Sequence, residues 1–241
     1  MTVAQTPVYR SIRRQAFPGF VSLPDERIID VAPVKRYVLG DQDKIIAVLN
    51  DGTEIADIDQ VEVGTGYRPY PSFVHVLDST TKQVVPLMNG GIKPHRIPSL
   101  HRLILYSHNP SLAFIGTAAI SYTPFTIADV CSTWLTLAWR GEVPYPSTTE
   151  ERLQSETDRL NAIAKSISET ENPSSLLSYG VLGSYEETYA AGLKEDIVKA
   201  RPELKEVLPE WNPEQTIERE RMFGAKRKAL EYMKQEREAL E

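Results

Sequence analysis

The sequence predicts an α/β chain, and three observations predict it. The N-terminal part consists of short runs rich in β-branched and aromatic residues, separated by turn residues. From Phe125 the apolar spacing changes to that of a helix, and beyond residue 148 the chain is polar, helical in character and punctuated by proline. With 241 residues, 41% of them hydrophobic and 25% charged, it has the composition of an ordinary globular protein that buries one or two cores.

Thr6 to Ser11, Arg27 to Val31, Val34 to Val38 and Lys44 to Leu49 read as strands. Asn50-Asp51-Gly52 tolerates positive φ, so Lys44 to Leu49 and Thr53 to Ile55 form a hairpin. Gln60 to Val63 reads as a further strand running into the glycine-rich turn Gly64-Thr65-Gly66-Tyr67. Residues 68 to 98, rich in proline and without periodicity, read as an irregular connection between two packed units.

Arg102 to Tyr106 and Leu112 to Ile115 are apolar runs of strand length around Asn109-Pro110, and Gly116 ends the second. Ile127, Val130, Trp134, Leu137 and Ala138 mark one face of a buried helix from Phe125 to Trp139, closed by Gly141 and Pro144. Thr148-Thr149-Glu150-Glu151 starts another helix with capping hydroxyls and an acidic first turn, running to about Ser168. After Asn172-Pro173, Pro202 and Pro209, a charged helix extends from Pro213 to Glu241. Its i,i+4 charges suit a solvated surface, and Met222, Ala229 and Met233 offer a seam to a partner helix.

The formal net charge of -6 disfavours a nucleic-acid partner. The single cysteine excludes an intrachain disulfide, and neither a cysteine cluster nor a close histidine pair offers a metal site. The N-terminus lacks the apolar core of a signal peptide, and Pro110 to Trp139, broken by Pro124 and Asp129, is no spanning helix, so a cytoplasmic protein is expected. Cys131, in apolar surroundings that raise a thiol's pKa, reads as an inert core residue. His75, His95, His101 and His108 show no triad spacing and read mostly as surface residues, so no catalytic residue is assigned.

Three segments carry a resemblance. The first is Asp59-Gln60-Val61-Glu62-Val63-Gly64-Thr65-Gly66-Tyr67-Arg68, preceded by the hairpin at Asp51-Gly52. The second is Leu105-Tyr106-Ser107-His108-Asn109-Pro110-Ser111-Leu112-Ala113-Phe114-Ile115-Gly116. The third is Pro124-Phe125, a helix, and then Arg140-Gly141-Glu142-Val143-Pro144-Tyr145-Pro146-Ser147. In this order and spacing they resemble the C-terminal half of the flavin-containing monooxygenases that form N-oxides and S-oxides, over roughly residues 5 to 195.

The resemblance implies an incomplete two-dinucleotide-binding-domain flavoprotein with a helical C-terminal region. Residues 1–67 would be the C-terminal part of an NADP-binding Rossmann-like domain, 68–147 that of the FAD-binding domain, and 148–241 the helical region. It implies FAD and NADPH as cofactors and oxygenation of a soft nitrogen or sulfur nucleophile in a small molecule, the flavin doing the hard chemistry. Gly116, Thr117, Phe125 and Asp129 would face the FAD. Ser11, Arg13, Arg14, Thr65 and Gly66 would face the NADP, guanidinium groups suiting a 2′-phosphate and glycine a close backbone approach. On the residues alone, the same positions read equally as a basic strand end, a tight glycine turn and a plain strand-to-helix connection.

The chain departs from the family's pattern at three positions: Asp129 stands in place of Glu, Cys131 in place of Gln, and Glu62 in place of an aliphatic residue. A doubly wound sheet would bury Glu62 on both faces, at a cost of several kcal/mol unless it is paired. A dinucleotide fold also needs Gly-x-Gly-x-x-Gly opening a helix, whereas Gly64 and Gly66 are followed by Arg68 and Pro69. Both phosphate loops are expected upstream of Met1, which leaves open a non-catalytic binding or assembly module, or one chain of a split flavoenzyme whose partner chain supplies the N-terminal half.

Overall fold

The computed structural model describes residues 6–12, 23–64, 69–78, 80–119, 124–171, 173 and 177–239. They form a mixed α/β protein with four α-helices and several small sheets. The chain divides into two compact units, residues 1–66 with 221–241, and residues 67–220.

In the first unit β1 (Val8–Ser11) pairs in parallel with β2 (Ile28–Val31), Val8 opposite Ile28 and Ser11 opposite Val31. Three antiparallel strands follow in the order β3 (Val34–Leu39), β4 (Ile45–Leu49), β5 (Glu54–Ile58). The central strand β4 buries Ala47, Val48 and Leu49. The hairpin expected at Asn50-Asp51-Gly52 is present. Gly52 has a φ of 88° and donates its N–H to Leu49 O at 3.2 Å, while Asp51 Oδ1 accepts the Thr53 N–H at 3.0 Å. A Cβ at that φ would be strained, which is why glycine stands there.

Gln60 to Val63, expected as a strand, is not one. It pairs with no described residue, and Glu62 and Val63 are exposed. The burial problem posed by Glu62 disappears with it, since the carboxylate lies in solvent and accepts a hydrogen bond from the Gln60 amide.

The second unit begins with a hairpin where an irregular connection is expected, β6 (His75–Leu77) against β7 (Val84–Pro86). Asp78 organises its turn by accepting from the N–H groups of Thr80 and Thr81 at 2.9 and 2.6 Å. The expected strand from Arg102 to Tyr106 is interrupted: β8 (Leu100–His101) and β9 (Leu105–Tyr106) flank a turn in which Arg102 and Leu103 have φ of 51° and 60°. A strand cannot continue through two left-handed residues. Leu112 to Ile115 contributes only a bridge between Ala113 and Leu105.

Four helices follow: α1 (Pro124–Trp139), α2 (Thr149–Ser168), α3 (Glu186–Ala200) and α4 (Pro213–Glu238). The first buries the expected face, with Ile127, Val130, Trp134, Leu137 and Ala138 packed with Tyr189, Ala190, Leu193 and Ile197 of α3. Each of the larger aliphatic side chains in it is worth about 1.5–3 kcal/mol of burial. A smaller cluster of Leu87, Met88, Ile97, Leu100 and Tyr106 lies beside it. Helix α2 starts with a capping box: Thr148 Oγ1 accepts the Glu151 N–H at 3.3 Å, and the Glu151 carboxylate accepts the Thr148 N–H at 3.4 Å. Helix α4 is exposed over most of its described length, Met222 and Met233 included, with i,i+4 ion pairs from Arg227 to Glu231 and Lys234 to Glu238.

Candidate functional site

The four residues expected at the FAD divide into two pairs. Gly116, exposed with a φ of 88°, has nothing within 4 Å of where a Cβ would stand, so a ligand has open access to its backbone. Gly116 does not open a helix, since α1 begins only at Pro124. The half-buried Thr117 spends its hydroxyl on the Leu103 carbonyl. Phe125 and Asp129, one turn apart on α1, are exposed, Phe125 at 82%.

Of the residues expected at the NADP, Arg13, Arg14, Thr65 and Gly66 lie outside the described residues. The hydroxyl of Ser11 is committed locally: it donates to Ala32 O at 3.2 Å and accepts the Val34 N–H at 3.1 Å, tying the end of β1 to the entry of β3. The neighbouring Arg10 is also engaged, its guanidinium on the Asp30 carboxylate at 2.6 and 2.9 Å.

Two cavities are described. One, of about 320 Å³, is lined by Arg10, Leu23, Pro24, Asp25 and Ile28. The other, of about 410 Å³, lies where the end of α1 meets Arg201, Glu203 and Leu204. Of the expected cofactor residues that are described, Ser11, Gly116, Thr117, Phe125 and Asp129, none lines either one. Two arginines that line the second, Arg140 and Arg201, each donate Nε to the Glu142 carboxylate at 2.5 Å. Those bonds, Arg201 first, hold its carboxyl down at about 2.

What the described residues do assemble is a polar network that sequence reasoning passes over. Arg152, Glu156 and Arg159 lie along one face of α2 at i, i+4 and i+7, the pattern of an ordinary solvated stripe. The face is turned inward, however, with Arg152 and Glu156 buried. Arg152 donates to Ser107 O at 2.8 Å, Pro146 O at 2.8 Å and Ser147 O at 2.7 Å. Glu156 accepts Arg96 Nε at 2.6 Å and the Ser99 N–H at 2.9 Å. Arg159 donates to Val181 O at 2.6 Å and Tyr179 O at 3.2 Å and lies over the Tyr185 ring, 5.1 Å from its centroid.

The strained turn at Arg102 is held from three sides. Its N–H donates to Ser155 Oγ at 2.8 Å, its carbonyl accepts the Tyr189 hydroxyl at 2.8 Å, and its guanidinium meets Asp196 at 2.6 Å.

His75 and His108 are exposed and His95 is half-buried, but His101 is buried, against the surface reading. Its Nδ1 donates to Arg152 O at 3.3 Å, and its ring tilts against Trp134. Burial, reinforced by the nearby Arg102 charge, pushes its pKa down to about 4. It is therefore neutral at pH 7 and serves as a packed donor. Cys131 is buried beside the Tyr189 hydroxyl at 3.5 Å, and burial pushes its thiol up to about 11. That places it among inert core cysteines.

Among the described residues no group of three or more His, Cys, Asp or Glu is placed to hold a metal ion, and no helix is long and apolar enough to cross a membrane. The class these observations define is a mixed α/β protein with a buried polar scaffold around the loops of its second unit. No family model matches the chain, and no curated protein matches it.

Among the described residues expected at a flavin or an NADP, the side chains are committed or exposed. Thr117 and Ser11 have their hydroxyls bound within the protein, while Phe125 and Asp129 stand on the open surface of α1. The described residues thus do not by themselves fit either cofactor. What they present is an accessible backbone at Gly116 rather than an enclosing pocket.

Proposed function

We propose that the chain is a flavin-monooxygenase-like polypeptide. Its reaction is the NADPH- and FAD-dependent oxygenation of a soft nitrogen or sulfur nucleophile in a small molecule, carried out only where the phosphate-binding glycine loops that residues 1–241 do not contain are supplied. The structural observation that supports this reading is the parallel pairing of β1 with β2. Parallel strands are the signature of sheets that helices cover on both faces, as in dinucleotide-binding units. The rest of the support lies in the three sequence segments at Asp59 to Arg68, Leu105 to Gly116 and Pro124 to Ser147.

A second reading, a non-catalytic assembly module of the same descent, is favoured by one specific observation. The hydroxyls of Ser11 and Thr117 are already spent inside the protein.

The test is complementation. The purified chain is mixed with FAD and NADPH, alone and with the N-terminal half of a flavin monooxygenase that carries both Gly-x-Gly-x-x-Gly loops, then desalted. The expected outcome is no retained flavin absorbance for the chain alone, and for the mixture retained flavin with thioether-dependent NADPH consumption. A mixture that retains no flavin overturns the monooxygenase reading in favour of the module. Activity of the chain alone overturns the need for a complement.

A further inference from the structure

The segment from Gly116 to Ala119 is held from two directions. On one side the Thr117 hydroxyl is bound to Leu103 O. On the other, residues 177–182 lie across it as a short parallel bridge: the Ala119 N–H donates to Gly180 O at 2.6 Å, and the Leu182 N–H donates to Ala119 O at 2.9 Å.

This strap is anchored through its neighbours, Tyr179 and Leu182 being core residues, each 2% exposed. Its outward carbonyls, at Tyr179 and Val181, are both taken by the single guanidinium of Arg159. At the crossing point the two backbones come so close that a Cβ on Gly180 would stand 2.9 Å from Thr117 O, nearer than side-chain carbons approach a carbonyl. Gly180 does not owe its identity to a positive φ, since it is not among the residues with one. Its role is therefore the close approach itself.

We propose that Gly180 and Arg159 are positioning residues: Gly180 lets the strap close on Thr117, Arg159 holds it there, and together they set the backbone geometry of Gly116 to Ala119. In so far as that segment is the place where a flavin ring would pass, this rests on the function proposed above, although the mechanical claim does not. Arg159 suits the role because a planar fork serves two carbonyls at once, which a lysine ammonium on a flexible stem does less well.

The experiment uses the full chain and compares Gly180→Ala, Arg159→Lys and Arg159→Met with the parent by hydrogen exchange. Protection of the Ala119 and Leu182 amides is followed against that of Leu193 and Ile197 in the core. Gly192→Ala serves as a glycine control, because a Cβ there meets nothing within 4 Å.

Gly180→Ala and Arg159→Met are expected to lower protection at Ala119 and Leu182 by about tenfold, the scale of a lost backbone hydrogen bond or more, with the core amides unchanged. Arg159→Lys is expected to fall between. Unchanged exchange at Ala119 and Leu182 in both Gly180→Ala and Arg159→Met overturns the proposal, as does an equal loss at the core amides, which would mean general destabilisation. Flavin retention is then measured in the complemented mixture. If local protection is lost while retention stays at the parent level, the positioning role stands and the segment's assignment to the flavin falls.

Discussion

The inward face of α2 makes a quantitative claim that Glu156→Leu tests. In the parent, Glu156 and Arg96 have side chains only 10% and 13% exposed and meet at 2.6 Å, and the second carboxylate oxygen takes the Ser99 N–H at 2.9 Å. Leucine removes the counter-charge of a largely buried guanidinium and strands a backbone donor. Breaking a buried pair from one side costs about 3–5 kcal/mol, and an orphaned N–H about 1–3 kcal/mol. Against this, Arg96 keeps its bond to Pro94 O at 3.0 Å and its place over the Tyr179 ring at 5.4 Å, and leucine gains burial. A net loss of about 3 kcal/mol is expected.

Urea unfolding followed by tryptophan fluorescence measures it cleanly. Trp134, Trp139 and Trp211 all belong to the unit of residues 67–220, so the signal reports that unit alone. The midpoint should fall by about 1–2 M. The double variant Arg96→Met with Glu156→Leu, which removes both charges, should recover at least about 1 kcal/mol of the loss, because an apolar replacement of a buried pair is often neutral. A single-variant shift below about 0.3 M, or a double variant no more stable than the single, would refute the assignment of this pair as a buried, energetically coupled contact.

Other consequences are as direct. Arg152→Met should destabilise the same unit by about 2–4 kcal/mol in the same assay, since it orphans the fully buried carbonyl of Ser107, whereas those of Pro146 and Ser147 have access to water. His101, ordinarily near 6.5 and lowered to about 4 by burial, refuses a proton that the unfolded chain accepts between those pH values. Stability is therefore complete above about pH 6.5 and declines as the pH falls toward 4, by up to about 1.4 kcal/mol per pH unit. His101→Asn should flatten that part of a stability-versus-pH curve. Cys131, buried and raised to about 11, should resist iodoacetamide at pH 8 in the native protein and react in urea, as mass spectrometry would show. Gly192→Ala, in the interior of α3 with open space at its Cβ, should raise the midpoint by the equivalent of about 0.5–1 kcal/mol.

Helices α1 and α2 were legible in the sequence because their signals are local. The apolar face of α1 repeats at helical spacing, and Thr148 with Glu151 forms a capping box that needs no distant partner. The hairpin at Gly52 was legible for the same reason. The break between β8 and β9 was not, because its left-handed residues are Arg102 and Leu103, which carry no turn signature. What holds Arg102 in that conformation is remote, at Ser155, Tyr189 and Asp196. Hairpin β6–β7 did carry a signal in Asp78 and the threonines after it, obscured by the prolines on either side. The candidate site was legible only as a set of positions. Whether a hydroxyl such as that of Ser11 or Thr117 is free for a ligand depends on neighbours that spacing does not reveal.

The same distinction explains why the second unit is organised by charge as well as by its core. A helix stripe of Arg, Glu and Arg is ordinarily a solvated face worth a few tenths of a kcal/mol per pair. Turned inward, these residues satisfy carbonyls and amides of neighbouring loops, that of Ser107 fully buried, so the energetic weight per residue rises up to roughly tenfold. Apolar packing sets the separation of α1 and α3 but is indifferent to the direction of a loop's carbonyls. Directional donors are not, and the loops through Ser99, Ser107 and Val181 take their course from Glu156, Arg152 and Arg159. Gly116 to Ala119 is tied to two of these elements, through Leu103 and through the strap at Gly180. Its geometry is therefore set at second hand by a helix it does not touch through any described hydrogen bond. Substitutions on the inward face of α2 should accordingly alter the candidate segment before they unfold the core, whichever ligand that segment serves.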